Sequence, residues 1–240
     1  MEALIRLTRV SKSYGSRTIV RDVTLDVPQG HITGLLGPSG AGKTTVVKMI
    51  AGLETPTAGT VDVLDERMPK LSLQRRIGYM AQSDALYADL TAGENLDFFA
   101  SLYGLRGARR KERVAASLEL VGLASDRRKR VSQFSGGMKR RLSLAIALLH
   151  EPAVLILDEP TVGIDPVLRR DIWAELERIR ATGTSILVTT HVMDEAEHCG
   201  TLALMREGAL IATGSPAELK ALTGSATIEE AFLAYGRAAV

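Results

Sequence analysis

A glycine-rich loop at residues 37–44 constrains the fold of this chain more than any other feature. The sequence GPSGAGKT follows the apolar stretch ITGLL, which is typical of a strand, and precedes TVVKMIAG, which is typical of a helix. A glycine-rich turn in this context closes backbone N–H groups around phosphate oxygens. Lys43 would place its charge on the outer phosphates, and Thr44 would offer its hydroxyl to Mg²⁺. The residues expected to contact a nucleotide here are Gly37, Pro38, Ser39, Gly40, Ala41, Gly42, Lys43, Thr44 and Thr45.

An acidic pair follows a second apolar stretch, VLIL, further along the chain. Such a short uninterrupted run is typical of a parallel strand that is buried on both faces. Ligands of parallel sheets lie beyond the carboxyl ends of the strands, which is where Asp158 and Glu159 stand. Asp158 would hold Mg²⁺ through water, and Glu159 would orient or deprotonate an attacking water. Alone, the acidic pair could belong to a solvated turn. The phosphate loop elsewhere in the chain favours the interpretation that the pair takes part in hydrolysis.

The stretch FSGGMKRRLSLA, at residues 134–145, predicts a second anion site. Ser135, Gly136 and Gly137 lead into an apolar-periodic helix, so a serine cap and bare backbone N–H groups would stand at its start. The chain already has a better phosphate cradle near residue 40. The sequence alone therefore leaves open whose phosphate this helix start meets.

The remaining pattern predicts strands that alternate with helices, which favours an α/β core. Strands are expected at 4–10, 18–27 and 31–36, and a hairpin is expected to turn at Glu207-Gly208. Thr91 and Glu94 form a capping-box pattern, and no strand signal lies between residues 91 and 123, so this part predicts a helical subdomain. Two further capping boxes, at residues 215–218 and 227–230, predict a helical tail.

Composition narrows the classes of function. The 240 residues contain 30 Lys and Arg against 28 Asp and Glu, so no overall charge favours nucleic acid. The basic runs at 127–130 and 139–141 lack interleaved aromatic residues, and we expect them to be solvated faces. The single Cys199 excludes an internal disulfide and fits a reducing cytosol. We expect no signal peptide, and no apolar run is long enough to cross a bilayer, so a membrane function would require another chain.

Three further residues are ambiguous when taken singly. His191 directly follows the strand SILVTT, a place where a lone histidine is more often structural. Gln82 follows the strand IGYMA and could be an ordinary loop amide. Tyr14 could be a turn aromatic that packs on the core.

Together these motifs resemble the ATP-binding subunit of an ABC transporter. The resemblance covers residues 4–220, and its most specific element is Ser-Gly-Gly at a helix start, roughly twenty residues before LDEP. It implies a P-loop NTPase fold with a mainly parallel sheet, an N-terminal antiparallel β part and a helical subdomain. Residues 1–240 would form a single ATP-binding domain, with the helical subdomain at about 88–150 and the helical tail at about 215–240. The stretches FSGGMKRRL, TVGIDP and THVMDEAE resemble the exporter branch that includes bacterial drug-resistance and polysaccharide export ATPases.

The resemblance also implies roles for the ambiguous residues. Tyr14 would stack on adenine, Gln82 would reach the metal and the membrane partner, and His191 would respond to the γ-phosphate. The implied catalytic residues are Lys43, Glu159 and His191, and the implied metal-binding residues are Thr44, Gln82 and Asp158.

In the family that this chain resembles, two ATP-binding subunits face each other head to tail. The resemblance therefore implies that Ser135, Gly136, Gly137 and Asp165 contact the nucleotide held by the phosphate loop of the partner subunit. One position departs from the family pattern, because Met138 replaces the usual glutamine and supplies no amide.

We therefore expect an Mg²⁺-dependent ATPase that drives a separate polytopic transmembrane permease from the cytoplasmic face of the cell membrane. Two copies of this chain would form the dimer, with a heterodimer as the alternative, and no nucleic acid partner is expected. Three alternatives stay open: an ABC-type ATPase that acts on DNA ends or the ribosome, an import-type ABC ATPase, and a kinase that uses the same phosphate loop. The kinase has no use for Ser-Gly-Gly, and the chromosome type would insert a long coiled coil between Gln82 and Ser135, where no sustained heptads occur.

Overall fold

The structure of the protein, a computed structural model, describes residues 2–238. The strands are β1 (Ala3–Tyr14), β2 (Arg17–Pro28), β3 (Ile32–Leu36), β4 (Ala58–Val63), β5 (Glu66–Arg67), β6 (Ile77–Met80), β7 (Val154–Asp158), β8 (Ser185–Thr190), β9 (Thr201–Arg206) and β10 (Ala209–Gly214). The helices are α1 (Lys43–Ile50), α2 (Ala92–Leu102), α3 (Gly107–Leu120), α4 (Gly136–Leu148), α5 (Pro166–Ala181), α6 (Pro216–Thr223) and α7 (Ile228–Ala238). Short 3₁₀ turns lie at 71–75, 124–126, 131–133 and 193–198.

The strands form two sheets. The larger sheet has the order β10-β9-β3-β8-β7-β6, in which every neighbouring pair is parallel except β10 with β9. The smaller sheet has the order β2-β1-β4-β5 and is antiparallel. This arrangement confirms the predicted α/β fold with a mainly parallel sheet and an N-terminal antiparallel part.

The central strands are buried on both faces, as their uninterrupted apolar runs predicted. In β7, Val154 and Ile156 belong to a core that β7 shares with α1 and the antiparallel sheet. Leu155 and Leu157 point the other way, into a core shared with α2 to α5. Because side chains alternate along a strand, two layers of packing hold β7 in place. The acidic residues at its end therefore stand on a rigid support.

Helices α2, α3 and α4 pack against one another, and their apolar residues continue the second core. Helix α2 begins at the predicted capping box: Thr91 N–H donates to Glu94 Oε2 at 2.7 Å, and Glu94 N–H donates to Thr91 Oγ1 at 3.2 Å. These helices occupy the range of the predicted helical subdomain. That they form a subdomain of their own stays a prediction.

The C-terminal residues form α6 and α7, and reciprocal capping bonds between Ser215 and Glu218 start the first of them. The aliphatic Ile228 and aromatic Phe232 of α7 are buried against the core. Across residues 2–238 we find no helix with the length and apolarity that a bilayer crossing requires.

Candidate nucleotide-binding and catalytic site

The phosphate loop connects β3 to α1 and depends on glycine at defined positions. Gly40 and Gly42 have φ values of 81° and 102°, a region that residues with a side chain rarely adopt. A Cβ added at Gly42 would lie 3.0 Å from the carbonyl oxygen of Ile19, and one at Gly37 would lie 2.2 Å from that of Met205. The loop thus passes too close to neighbouring backbone for larger residues.

Helix α1 begins at Lys43, directly after the left-handed Gly42. Gly42 has no side chain with which to cap the helix, and the first turn of α1 contains no acidic residue. The N–H groups of that turn and the positive end of the helix dipole are therefore available to an anion. They border a cavity of about 290 Å³. Its lining residues are Arg17, Ile19, Ser39, Gly40, Gly42, Lys43, Thr44, Thr45, Gln82 and Glu159.

The ammonium of Lys43 lies at this cavity but is largely shielded from solvent, with 5% exposure. Its Nζ donates to the carbonyl oxygens of Gly37 at 2.7 Å and Pro38 at 3.1 Å, and lies 4.0 Å from Glu159 Oε1. Burial lowers the pKa of Lys43, an effect that the carboxylates of Glu159 and Asp158 partly oppose. The loop's own carbonyl oxygens thus hold the charge beside the space that phosphate oxygens would fill.

Asp158 supplies a buried carboxylate at the end of β7. The residue is 1% exposed, and its Oδ1 accepts a hydrogen bond from Thr189 Oγ1 at 2.5 Å. Its other oxygen, Oδ2, has no hydrogen-bond partner among the described residues. An unpaired buried carboxylate oxygen is unfavourable, so this atom fits the role of a ligand to a cation or to its bound water.

The residues present fit Mg²⁺ rather than a metal held by protein alone. Residues 2–238 contain no cluster of three His, Cys, Asp or Glu side chains that could hold an ion. Mg²⁺ needs no such cluster, because one or two protein oxygens and the substrate phosphates usually bind it. Asp158 and the hydroxyl of Thr44 are the candidate protein ligands.

Glu159 brings together residues that are far apart in the sequence. Its backbone has a φ of 53°, and its N–H donates to the carbonyl and hydroxyl oxygens of Thr189 at 3.1 and 3.0 Å. Its carboxylate is 11% exposed, with Oε1 3.1 Å from His191 Nδ1 and Oε2 3.4 Å from Gln82 Nε2. Three of the predicted site residues therefore meet beside Lys43. This carboxylate can accept a proton from a water that enters the cavity.

The Ser-Gly-Gly helix start forms as predicted but lies outside the phosphate-loop cavity. Ser135 is the N-cap of α4, and its Oγ accepts a hydrogen bond from Met138 N–H at 3.3 Å. Ser135 and Gly136 are exposed, and a Cβ at Gly136 would meet no atom of the described chain within 4 Å. Gly136 and Gly137 instead line a second cavity of about 230 Å³. Its lining residues are Gln82, Asp84, Gly136, Gly137, Arg140, Glu159, Val162 and Gly163.

Comparison with known proteins identifies this arrangement. A family model described as "ABC transporter" matches residues 20–162, which is more than half of the chain. The chain belongs to the ABC transporter family.

Two curated relatives and two solved structures agree with this assignment. The chain is 41% identical over 239 residues to the probable multidrug ABC transporter ATP-binding protein YbhF of Escherichia coli, covering 97% of this chain and 41% of that protein. It is 45% identical over 221 residues to the Nod factor export ATP-binding protein I of Paraburkholderia xenovorans, covering 91% and 73%. The chain therefore spans less than half the length of YbhF and about three quarters of the second relative.

The structural matches extend over nearly the whole chain. The ATP-binding subunit of an ABC transporter superposes with a TM-score of 0.90 at 29% identity, covering 97% of this chain and 99% of that one. The ATP-binding cassette MJ0796, a dimer in a post-hydrolysis state with bound ADP and Pi, superposes with a TM-score of 0.82 at 26% identity, covering 88% and 98%.

The position that departs from the ABC transporter pattern has a structural explanation. The side chain of Met138 is partly buried and packs against the core below α4. The replacement of glutamine therefore adds apolar packing to the core, while Ser135 and Gly136 stay exposed.

Asp165 caps a helix in this ABC transporter family member. Its Oδ1 accepts a hydrogen bond from Leu168 N–H at 3.0 Å at the start of α5. Asp165 is exposed, and so are Val162 (45%) and Val167 (62%) beside it. The loop around Asp165 and the start of α4 thus form one solvent-facing surface with exposed valines.

Tyr14 lies at the end of β1 and is half exposed. Its hydroxyl donates to the carboxylate of Glu54, and the ammonium of Lys12 lies 5.0 Å from its ring centroid. Partial burial raises the pKa of Tyr14 to about 12, and Glu54 adds to this effect. Tyr14 is not among the described residues that line the phosphate-loop cavity, so its stacking on adenine stays a prediction.

Arg140 is the functional candidate that sequence reasoning missed. We expected residues 139–141 to be a solvated face, which is wrong for Arg140, because it is only 6% exposed. Its spacing contained a signal: Arg140, Leu144 and Ala147 stand at i, i+4 and i+7, the buried face of α4. Burial lowers the pKa of Arg140. Nearby carboxylates oppose this effect, and Asp84 contributes most among them.

Proposed function

We propose that this chain is the ATP-hydrolysing motor subunit of an exporter. One observation carries the proposal: the carboxylate of Glu159, at the phosphate-loop cavity, lies within 4.0 Å of Lys43, Gln82 and His191. The preceding residue, Asp158, has a buried carboxylate oxygen without a partner among the described residues. The names of the relatives, which refer to multidrug transport and Nod factor export, favour export over import. We further propose that the residues form one ATP-binding domain, with a helical subdomain at about 88–150 and a helical tail.

The first step is binding of the ATP phosphates by the loop and the start of α1. Lys43 exchanges its contacts with Gly37 and Pro38 for the outer phosphate oxygens, while the backbone N–H groups of α1 hold the inner ones. Thr44 and Asp158 would hold Mg²⁺, with Gln82 close to it. When bound, Mg²⁺ neutralises charge on the phosphate oxygens.

The second step is hydrolysis. Glu159 accepts one proton from water as the water oxygen forms a bond to the γ-phosphorus, and the bond from that phosphorus to ADP breaks. His191, 3.1 Å from the carboxylate, orients it. ADP leaves with the electron pair of the broken bond, and the products are ADP and phosphate.

A second subunit would complete the site. Ser135 and Gly136 face solvent and lie outside the cavity of their own chain, so their helix start is free to meet the γ-phosphate of a partner's nucleotide. Exposed Val162 and Val167 beside Asp165 give this surface apolar contact area. ATP would then stabilise the closed dimer, and hydrolysis would release it, which converts binding into motion. The dimeric form of a solved relative supports this arrangement.

A polytopic permease at the cytoplasmic face of the cell membrane would receive this motion. A groove of about 760 Å³ lies between the turn at 71–75 and helix α2. Leu71 is 88% exposed and Leu102 is 60% exposed at its edge, and Phe99 and Tyr103 line it. Apolar surface of this kind is typical of a protein contact. We propose that a cytoplasmic segment of the permease docks here.

Mixed dimers test the proposal. The variants Lys43→Ala and Ser135→Arg should each be inactive as homodimers, because every site contains one lesion. In a mixed dimer with trans geometry, one site receives both lesions and the other receives none. Mixing the two inactive proteins, with the permease present if dimerisation needs it, should therefore restore part of the ATPase activity.

A cis arrangement gives the opposite result, since every site would still contain a lesion. Mass measurement should first confirm that mixed dimers form. Mixed dimers that neither hydrolyse ATP nor trap it between the subunits would refute the role of Ser135 at the partner's nucleotide.

A further inference from the structure

The side chain of Arg140 joins three segments of the proposed site. Arg140 belongs to α4, whose start at Ser135 faces solvent. Its Nη1 donates to the carbonyl oxygens of Ala81 at 2.7 Å and Gln82 at 2.9 Å. Its Nη2 donates to the carbonyl oxygen of Glu159 at 2.6 Å and to that of Asp158. One buried guanidinium thus holds the peptide of Glu159, the proposed base, and that of Gln82, whose side-chain nitrogen lies 3.4 Å from the Glu159 carboxylate.

The geometry needs an arginine rather than any cation. The two terminal nitrogens of a guanidinium point in fixed directions, so one can serve the loop at 81–82 while the other serves the strand end at 158–159. A lysine carries its three N–H donors on a single nitrogen, so it cannot direct separate nitrogens at the two segments.

A second contact anchors the same loop to α4. Asp84 Oδ1 accepts a hydrogen bond from Ser143 Oγ at 3.0 Å and lies 3.9 Å from Arg140 Nη1. Arg140 and Ser143 stand three positions apart on α4, so they lie on one side of the helix. The loop that contains Gln82 is therefore attached to α4 at two points.

We propose that Arg140 is a positioning residue for hydrolysis, an inference that rests on the proposed function. It holds the backbone of Gln82 and Glu159 so that their side chains stay in contact and the Glu159 carboxylate stays aimed at the attacking water. It also connects both residues to the helix whose start contacts the partner's nucleotide. Through this connection, the position of Ser135 on one nucleotide is linked to the position of Glu159 on the other.

The proposal separates binding from turnover. Arg140 makes no contact with the phosphate loop among its described hydrogen bonds, so loss of its guanidinium leaves ATP binding largely intact. A shift of about 1 Å in a reacting group costs on the order of 10²-fold in rate. Arg140→Gln should therefore lower kcat by roughly 10²-fold with KM for ATP nearly unchanged. Arg140→Lys should retain an intermediate kcat.

Arg113→Gln is a matched control. Arg113 donates from Nε and Nη2 to the carbonyl oxygens of Leu149 and Leu148, both at 3.1 Å, at the opposite end of α4. Arg113 lies on α3, so the substitution removes the same charge and a two-nitrogen contact with the C-terminal end of α4, remote from Glu159. Its kcat should stay within about threefold of wild type, because a shift at that end does not reach the reacting groups.

A double variant tests whether Arg140 acts through Glu159. If it does, adding Arg140→Gln to Glu159→Gln should reduce the residual turnover by less than about threefold, since the group that Arg140 positions is already inactive. Affinity for a fluorescent ATP analogue and the thermal midpoint of unfolding should be measured for every variant.

Several results would overturn the inference. They are equal losses in Arg140→Gln and Arg113→Gln, a nucleotide affinity that falls as much as kcat, and fully multiplicative losses in the double variant. Failure of both Arg140 variants to fold, while Arg113→Gln folds, would show a structural role only. Wild-type protein that hydrolyses no ATP with its permease present would overturn the proposed function itself, and this inference with it.

Discussion

Replacement of Glu159 by glutamine is the sharpest test of the proposed chemistry. The amide keeps the size and shape of the carboxylate, so contacts with His191 and Gln82 at 3.1 and 3.4 Å can persist in part. The change removes one negative charge 4.0 Å from Lys43 and removes the carboxylate that we propose accepts a proton from the attacking water. Turnover should therefore fall, while ATP binding is retained or strengthened.

The size of each effect follows from the geometry. Loss of a general base lowers kcat by about 10²–10⁴-fold, which corresponds to about 3–5 kcal/mol in the barrier. The attraction between Lys43 and Glu159 at 4.0 Å is about 4 kcal/mol at an effective dielectric constant of 20, before desolvation is counted. Lys43 recovers this interaction with the ATP phosphates, and those phosphates no longer face the carboxylate. ATP affinity should stay equal to wild type or increase.

Three measurements check this prediction. Phosphate release at saturating ATP gives kcat, a fluorescent ATP analogue gives affinity, and size exclusion shows whether an ATP-bound dimer accumulates. Glu207→Gln is the matched control, because Glu207 has a similar left-handed φ of 49° but is 78% exposed at the β9–β10 turn. Its turnover should equal that of wild type. Near-normal hydrolysis by Glu159→Gln would refute the assignment of Glu159 as the base.

Three further predictions concern binding and stability. Lys43→Ala removes a charged phosphate contact and should weaken ATP binding about 10–100-fold in a titration, whereas wild-type affinity would refute the phosphate-loop assignment. Tyr14→Ala should weaken ATP binding about 5–100-fold, Tyr14→Trp should retain it, and GTP should compete; equal affinity of both variants would leave Tyr14 a structural residue. Burial lowers the pKa of His150 to about 4, so the folded state resists protonation of this ring. The unfolded chain takes up the proton below pH 6.5, so the free energy of unfolding should fall by up to about 3 kcal/mol as the pH drops from 6.5 to 4. His150→Phe retains a ring against Tyr103, whose ring centroid lies 3.7 Å from that of His150. Chemical unfolding across this pH range should show a larger loss in wild type than in the variant; a constant difference between the two proteins would contradict this cause.

The sequence by itself determined the features that depend on neighbouring residues. Gly40 and Gly42 indicated the phosphate loop because residues with a side chain rarely adopt their φ values, and Gly42 also lies close to the backbone of Ile19. Thr91 and Glu94 indicated the start of α2 because both partners of a capping box lie within one turn. The apolar run of β7 indicated a strand buried on both faces. Each of these signals is complete within about ten residues.

The tertiary structure decided which distant residues meet and which faces are buried. Gln82 and Glu159 are separated by 77 positions, yet they are brought together because β6 and β7 are neighbours in the larger sheet and end at the same edge. Arg140 looked like part of a charged surface, since a run of basic residues does not reveal which carbonyl oxygens its members reach in the folded chain. Four such oxygens, supplied by the ends of β6 and β7, make its burial favourable, and they exist at that place only once the strands have assembled.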